Sequence, residues 1–169
     1  LEELNFPSDC FDIAMEADGD YSANGMDYIE FMISANQGEQ ARPLAKVASG
    51  GELSRIMLAI KSVLAESDAI HTLVFDEIDT GISGATASAV GERLARLGEK
   101  HQTLVITHSP QVAGFGKHHY LVQKADTETT AHTSVRLLDK TERLEEIARL
   151  LSGATITEKS RQLAKELMK

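Results

Sequence analysis

Two adjacent carboxylates, Asp76 and Glu77, follow the apolar run Leu73-Val74-Phe75. An apolar strand that ends in Asp is a pattern that holds a magnesium ion in nucleotide hydrolases, directly or through water. Successive residues leave a strand in different directions, so one carboxylate can hold the metal while the other orients and deprotonates a water. The competing reading is that the pair caps the next helix or is simply solvated. A second apolar run, Leu104-Val105-Ile106-Thr107, ends in His108. If both runs are parallel strands, His108 lies beside the carboxylates, because open α/β sheets build their sites at the carboxyl ends of strands. Asp79-Thr80-Gly81-Ile82-Ser83-Gly84 is too polar and glycine-rich for a helix and is expected as a loop at that same end.

Ser49-Gly50-Gly51-Glu52 stands immediately before a helical pattern. Ser at the N-cap with Glu three residues on is a capping box, and such boxes begin many helices that bind nothing. The two glycines point further: each costs about 1 kcal/mol in a helix interior, yet both let a ligand approach the backbone. Free N–H groups at a helix start, with the positive end of the dipole behind them, face an anion, and phosphate is the obvious candidate. His101, His118, His119 and His132 show no pairing pattern and are expected at the surface. Cys10 is the only cysteine, which excludes an intrachain disulfide and a cysteine metal site and fits a reducing cytoplasm.

The elements that must position these residues follow from periodicity. Phe11 to Glu16 alternates apolar and polar residues, Asp18-Gly19-Asp20 and Asn24-Gly25 supply turn chemistry, and Tyr28 to Ser34 is a second strand, which predicts a hairpin. Asn36 to Pro43 is a polar loop, after which Leu53, Ile56, Met57, Ile60 and Leu64 recur at helical spacing. Thr72 to Phe75 reads as a strand, Ala87, Val90, Leu94 and Leu97 mark a helix, and Thr103 to Thr107 is another buried-type strand. Strand, helix, strand implies a parallel pair. Tyr120 to Gln123 and Ser134 to Leu138 are predicted strands around the polar turn Asp126 to Thr130, followed by helices over Thr141 to Leu151 and Glu158 to Met168, with Gly153 placed to stop the first. The expected fold is α/β, a mostly parallel sheet flanked by helices with an N-terminal antiparallel hairpin, in a single domain over residues 1–169.

At 169 residues, 42% apolar and 25% charged, the chain can bury a real core, and disordered, collagen-like and disulfide-scaffold classes are excluded. No apolar run reaches the roughly 20 residues that cross a bilayer, so no membrane partner is expected. The net charge of -9 is uneven: residues 1 to 41 hold ten acids and no Lys or Arg, and the remainder is close to neutral. That first segment is a poor match for a nucleic-acid backbone and reads as a solubilising acidic face. The chain opens Leu1-Glu2-Glu3-Leu4 without an initiator Met, and is expected to be part of something longer.

Taken together, Ala48-Ser49-Gly50-Gly51-Glu52-Leu53-Ser54-Arg55, then Phe75-Asp76-Glu77-Ile78-Asp79-Thr80-Gly81-Ile82-Ser83-Gly84, then Thr107-His108-Ser109-Pro110-Gln111-Val112-Ala113 resemble the signature motif, the Walker B motif with its D-loop, and the H-loop of ABC-type ATPase heads. The wording is most similar to the RecN family of SMC-like bacterial proteins that repair DNA double-strand breaks. The resemblance extends to Asn36-Gln37-Gly38-Glu39, Pro43-Leu44 and Ala148-Arg149-Leu150-Leu151. ABC transporter subunits usually end the signature in Gln and follow Walker B with a Pro-Thr-Ser type turn, and neither is here. The phosphate loop G-x-x-x-x-G-K-[ST] is also absent: Gly116-Lys117 is followed by His118 and has Gln111 where the first Gly belongs. In RecN-like proteins that loop lies in the N-terminal half of the head, beyond a long antiparallel coiled coil. The resemblance therefore implies the C-terminal lobe of a head, inactive by itself.

What the resemblance implies about chemistry is specific. ATP is sandwiched between two heads, with Ser49, Gly50, Gly51 and Glu52 of one head facing the γ-phosphate held by the other. Asp76 holds Mg2+ through its water shell, Glu77 is the general base, His108 contacts the γ-phosphate, and Asp79 works across the dimer interface. Implied partners are a second head, the chain's own N-terminal lobe, DNA and recombination proteins, in a cytoplasmic, nucleoid-associated setting. Two rivals from other classes are an interaction module in which Ser49 to Glu52 and Asp76-Glu77 only cap helices, and a stand-alone metal-dependent phosphohydrolase using Asp76, Glu77 and His108.

Overall fold

The N-terminal hairpin forms as its alternation predicts. β1 (Phe11–Ser22) and β2 (Gly25–Ile33) pair antiparallel with Phe11 opposite Ile33, Ile13 opposite Phe31 and Met15 opposite Ile29. With a side-chain period of two, these residues share one face. Phe11 and Phe31 stack at 5.4 Å between ring centroids, Ile33 is buried, and Ile13, Met15 and Ile29 remain exposed. β3 (Arg42–Pro43) adds to β2. The computed structural model describes residues 1–4, 6–8, 10–23, 25–34, 38–46, 49–65, 69–126 and 131–168. Asn24 of the hairpin turn, Asn36-Gln37, Ala48 and residues 127–130 of the turn after Asp126 lie outside the described residues.

The centre of the fold is a βαβ unit packed on one long helix. α1 (Gly50–Leu64) buries Ile56 and Leu58 completely. β4 (Thr72–Phe75) and β5 (Gln102–Val105) are parallel, with Leu73 opposite Thr103 and Phe75 opposite Val105, and the Ile106 N–H donates to Phe75 O at 2.9 Å. α2 (Gly84–Leu97) joins them and buries Ala87, Val90, Leu94 and Leu97, the face its spacing predicts. Leu73 and Phe75 point into this core, whereas Val74, Leu104 and Ile106 on the opposite face are exposed. The strands are thus covered on one side only, although their apolar runs predict burial on both.

A single turn, α3 (Pro110–Ala113), follows β5, with Ser109 as its cap. β6 (Tyr120–Asp126) and β7 (Ala131–Leu137) form an antiparallel pair in which Val122 faces Val135. α4 (Lys140–Ser152) starts at a reciprocal capping box between Asp139 and Glu142 and stops at Gly153, whose φ of 75° only glycine adopts easily. α5 (Glu158–Leu167) packs against it around Ile147, Ala148 and Ala164, and Arg161 pairs with Glu145 at 2.7 Å across the two helices. Arg143 Nη2 donates to the carbonyls of Ala113 and Gly114, which ties this smaller core to α3.

The expected mostly parallel sheet is corrected to a mixed arrangement: among the described residues the parallel pair is β4–β5, and the other pairings are antiparallel. The cause is connection length, since short turns can join only antiparallel neighbours and α2 alone supplies a crossover between paired strands. His101 is also corrected. It is buried, with Nδ1 2.7 Å from Ile70 O and Nε2 3.2 Å from Ala65 O, so it pins the end of α1 to the approach to β4.

Candidate functional site

Asp76 and Glu77 emerge where β4 ends, and the backbone turns sharply there. Glu77 has φ 56°, a left-handed conformation found at no other described non-glycine residue, which costs about 1–2 kcal/mol. Asp76 Oδ1 accepts from the Glu77 N–H at 2.8 Å and Glu77 O accepts from the Thr80 N–H at 2.9 Å, so the turn is held from both sides. It swings the Glu77 carboxylate onto the first turn of α1: a Cβ built on Gly50 would collide with Glu77 Oε2. A Cβ on Gly51 would lie 2.9 Å from Glu77 O and 3.0 Å from Thr80 O, so this glycine has an in-chain reason to be there.

Three further contacts lock α1 to the turn. Ser54 Oγ donates to Asp76 O at 2.7 Å, and Arg55 Nη1 donates to Thr80 O at 2.8 Å and to Ile78 O at 3.3 Å. Arg55 is buried, with its guanidinium 5.7 Å from the Phe6 ring centroid. Burial pulls its proton affinity down and Glu52 pushes it back up, but a guanidinium stays charged. Ser49 is the N-cap of α1, its Oγ accepting from the Glu52 N–H at 3.4 Å. Ser49, Gly50, Gly51, Glu52, Asp76 and Glu77 therefore meet in one place within a single chain.

Asp79 and His108 meet next to it. The Asp79 side chain is 1% exposed, and its Oδ2 accepts from Thr107 Oγ1 (2.7 Å), Ser109 N (2.9 Å) and His108 N (3.0 Å). His108 Nδ1 stands 3.2 Å from the same oxygen, while the rest of that ring is open to solvent. Asp79 is turned inward in this chain and clasps the end of β5 to the end of β4.

The donor set fits a hard divalent ion only in one way. Among the described residues no three His, Cys, Asp or Glu side chains converge, so a cage made wholly of protein ligands does not fit. Mg2+ keeps most of its waters and takes one or two carboxylates plus substrate phosphates, which the exposed carboxylate of Asp76 can supply. Gly116-Lys117 leads into β6 rather than a helix, and so is no phosphate loop. Sequence reasoning missed the anchoring roles of Arg55, Thr107 and Ser109. For Arg55 a signal existed: it stands four residues from Gly51 and three from Leu58, on the buried stripe of α1, where a cation needs a partner.

No family model matches the chain. Over 169 residues, 99% of this chain, it is 44% identical to the DNA repair protein RecN of Vibrio cholerae. The chain belongs to the RecN family. It is also 46% identical over 170 residues to RecN of Deinococcus radiodurans and 48% identical over 145 residues to RecN of Xylella fastidiosa. It spans about 30% of the length of these curated relatives. Two solved structures show that this RecN-family chain has the fold of SMC heads. One is an Smc head domain from Pyrococcus yayanosii, at TM-score 0.57 and 15% identity over 89% of this chain and 27% of that one. The other comes from work on ATP-driven dimerization and DNA-stimulated activation of SMC ATPases, at TM-score 0.51 and 15% identity over 91% of this chain and 89% of that one. Among the described residues no helix is long and apolar enough to cross a membrane.

Proposed function

We propose that this chain is the C-terminal lobe of an ABC-type ATPase head and contributes to two composite ATP sites in a head dimer. Asp76, Glu77 and His108 serve the nucleotide on its own head, and Ser49, Gly50 and Gly51 face the γ-phosphate held by the partner head. The carrying observation is the Glu77 carboxylate against Gly50: an anion already lies at the start of α1, where the helix dipole favours one. A γ-phosphate would answer the same preference.

Within this reading Asp76 would hold Mg2+, which when bound neutralises phosphate charge. Glu77 accepts the proton of the attacking water, and His108, with an exposed ring, donates a hydrogen bond to the γ-phosphate. The open apolar faces of β4–β5 (Val74, Leu104, Ile106) and β6–β7 (Val122, Val135) suit the N-terminal lobe, which would bring the missing phosphate loop. ATP then holds two heads together and hydrolysis releases them, a cycle able to tether or clamp DNA ends in double-strand-break repair.

The cap bond from Glu52 N–H to Ser49 Oγ favours the rival in which Ser49 to Glu52 only begin a helix, and charge separates the two. Asp caps a helix about as well as Ser, so in a full-length protein carrying the phosphate loop, Ser49→Asp should fold normally. Facing a γ-phosphate, the added carboxylate should abolish ATP-driven dimerisation and hydrolysis. Mixing it with a phosphate-loop mutant should restore one composite site. Unimpaired hydrolysis by Ser49→Asp supports the cap alone, and two inactive mutants that co-dimerise without recovery would sink the trans assignment.

A further inference from the structure

We infer that Asp79 is a positioning residue for His108, holding the ring with Nδ1 turned inward and Nε2 presented outward to the γ-phosphate. The inference rests on the ATPase reading for what His108 touches, and on geometry alone for how it is held. A single buried oxygen, Asp79 Oδ2, takes the Thr107 hydroxyl and two backbone N–H groups and stands 3.2 Å from His108 Nδ1. The other oxygen, Oδ1, is buried without a hydrogen bond among the described residues, so the balancing of this carboxylate falls on the Oδ2 side. A buried carboxylate balanced only there favours a proton on the ring nitrogen that faces it, and a second proton taken up on Nε2 beside the phosphate makes the imidazolium whose outward N–H donates to the γ-phosphate. The His108 side chain is 82% exposed, so packing does little to orient the ring.

The clasp has a second consequence. Asp79 lies two residues after Glu77, and Arg55 grips the carbonyls on either side of it, Ile78 and Thr80. Glu77 and His108 are thereby carried by one hydrogen-bonded unit, whose members are joined through Asp79 rather than by direct contact. Displacing Asp79 would leave Asp76 and Glu77 at the end of β4 and free His108 to turn.

A double-mutant cycle in the full-length, phosphate-loop-containing protein tests this, with kcat and KM for ATP measured separately. Asp79→Asn should lower kcat by about 10-fold or more, as loss of an orienting partner does, with KM within about 2-fold. Asp79→Asn combined with His108→Ala should turn over no more slowly than His108→Ala alone. Additive losses would make Asp79 merely structural and overturn the inference. Thr107→Val removes one donor to Oδ2 without touching the ring, and should lower thermal stability while sparing kcat. Should Asp79→Asn fail to fold, the unsubstituted protein still decides the matter: with ring-15N-histidine labelling, and His108→Ala to identify the resonance, His108 should carry its proton on Nδ1. A proton on Nε2 alone would refute the inference. The two readings fail separately, because absence of ATP hydrolysis by the unsubstituted full-length protein would remove the ATPase assignment and leave the tautomer result standing.

Discussion

Glu77 lies against Gly50 because its own backbone is left-handed, and the two glycines at the start of α1 answer to different parts of it. Gly50 faces the movable end of the side chain, Oε2, whereas Gly51 faces fixed backbone, the carbonyls of Glu77 and Thr80. One close approach can relax and the other cannot.

Alanine substitutions should therefore separate. Gly51→Ala forces a methyl against two carbonyls and should destabilise the fold by about 1–3 kcal/mol in urea titration. Gly50→Ala meets only a carboxylate that can swing away, and should change stability by less than about 1 kcal/mol. It should still abolish ATP-dependent dimerisation in the full-length protein, measured by light scattering, because a methyl blocks approach of a phosphate to the helix start. Equal stability losses at the two positions would show that the loop, and no ligand, explains both glycines.

The two neighbouring carboxylates should behave differently when neutralised. Glu77→Gln should cost on the order of 100- to 10,000-fold in turnover with ATP binding intact, and ATP should hold the heads together for longer. Asp76→Asn should instead shift the Mg2+ dependence, since its amide can still accept from the Glu77 N–H and leave the turn in place. Turnover of Glu77→Gln within a few-fold of the parent would exclude it as the base.

Acid should act on the C-terminal helices in two separate windows. The Asp139 backbone N–H and then Arg136 hold the Glu142 carboxyl below its ordinary 4.5, and Arg161 does the same for Glu145. A carboxyl with a depressed folded value contributes stability that is whole above 4.5 and lost as pH falls through that depressed value. Burial, and then Arg143, hold His119 below its ordinary 6.5. The unfolded chain takes up that proton first, so stability begins to fall below pH 6.5, and His119→Gln should flatten only this upper window. Thermal melts across pH would measure both, and a parent profile flat from about pH 7 to pH 5 would refute the His119 contribution.

What the amino-acid sequence determined by itself is what local patterns encode. Apolar periodicity located α1, α2, β4 and β5, turn chemistry located the N-terminal hairpin, and Gly153 marked the end of α4, because each depends on residues a few positions apart. The family motifs likewise named Ser49 to Glu52, Asp76, Glu77 and His108 as a set. Only the tertiary structure decided what stands beside what. The left-handed turn at Glu77 is stabilised by the close packing of Gly51 and the grip of Arg55 from another element, contacts that span 23 and more residues. Burial of Asp79 and His101 depends on partners about thirty residues away in sequence, and polar side chains carry no periodic mark of such partners. The exposed faces of β4–β5 and β6–β7 were equally hidden, since an apolar strand reads the same whether its second face is covered or open.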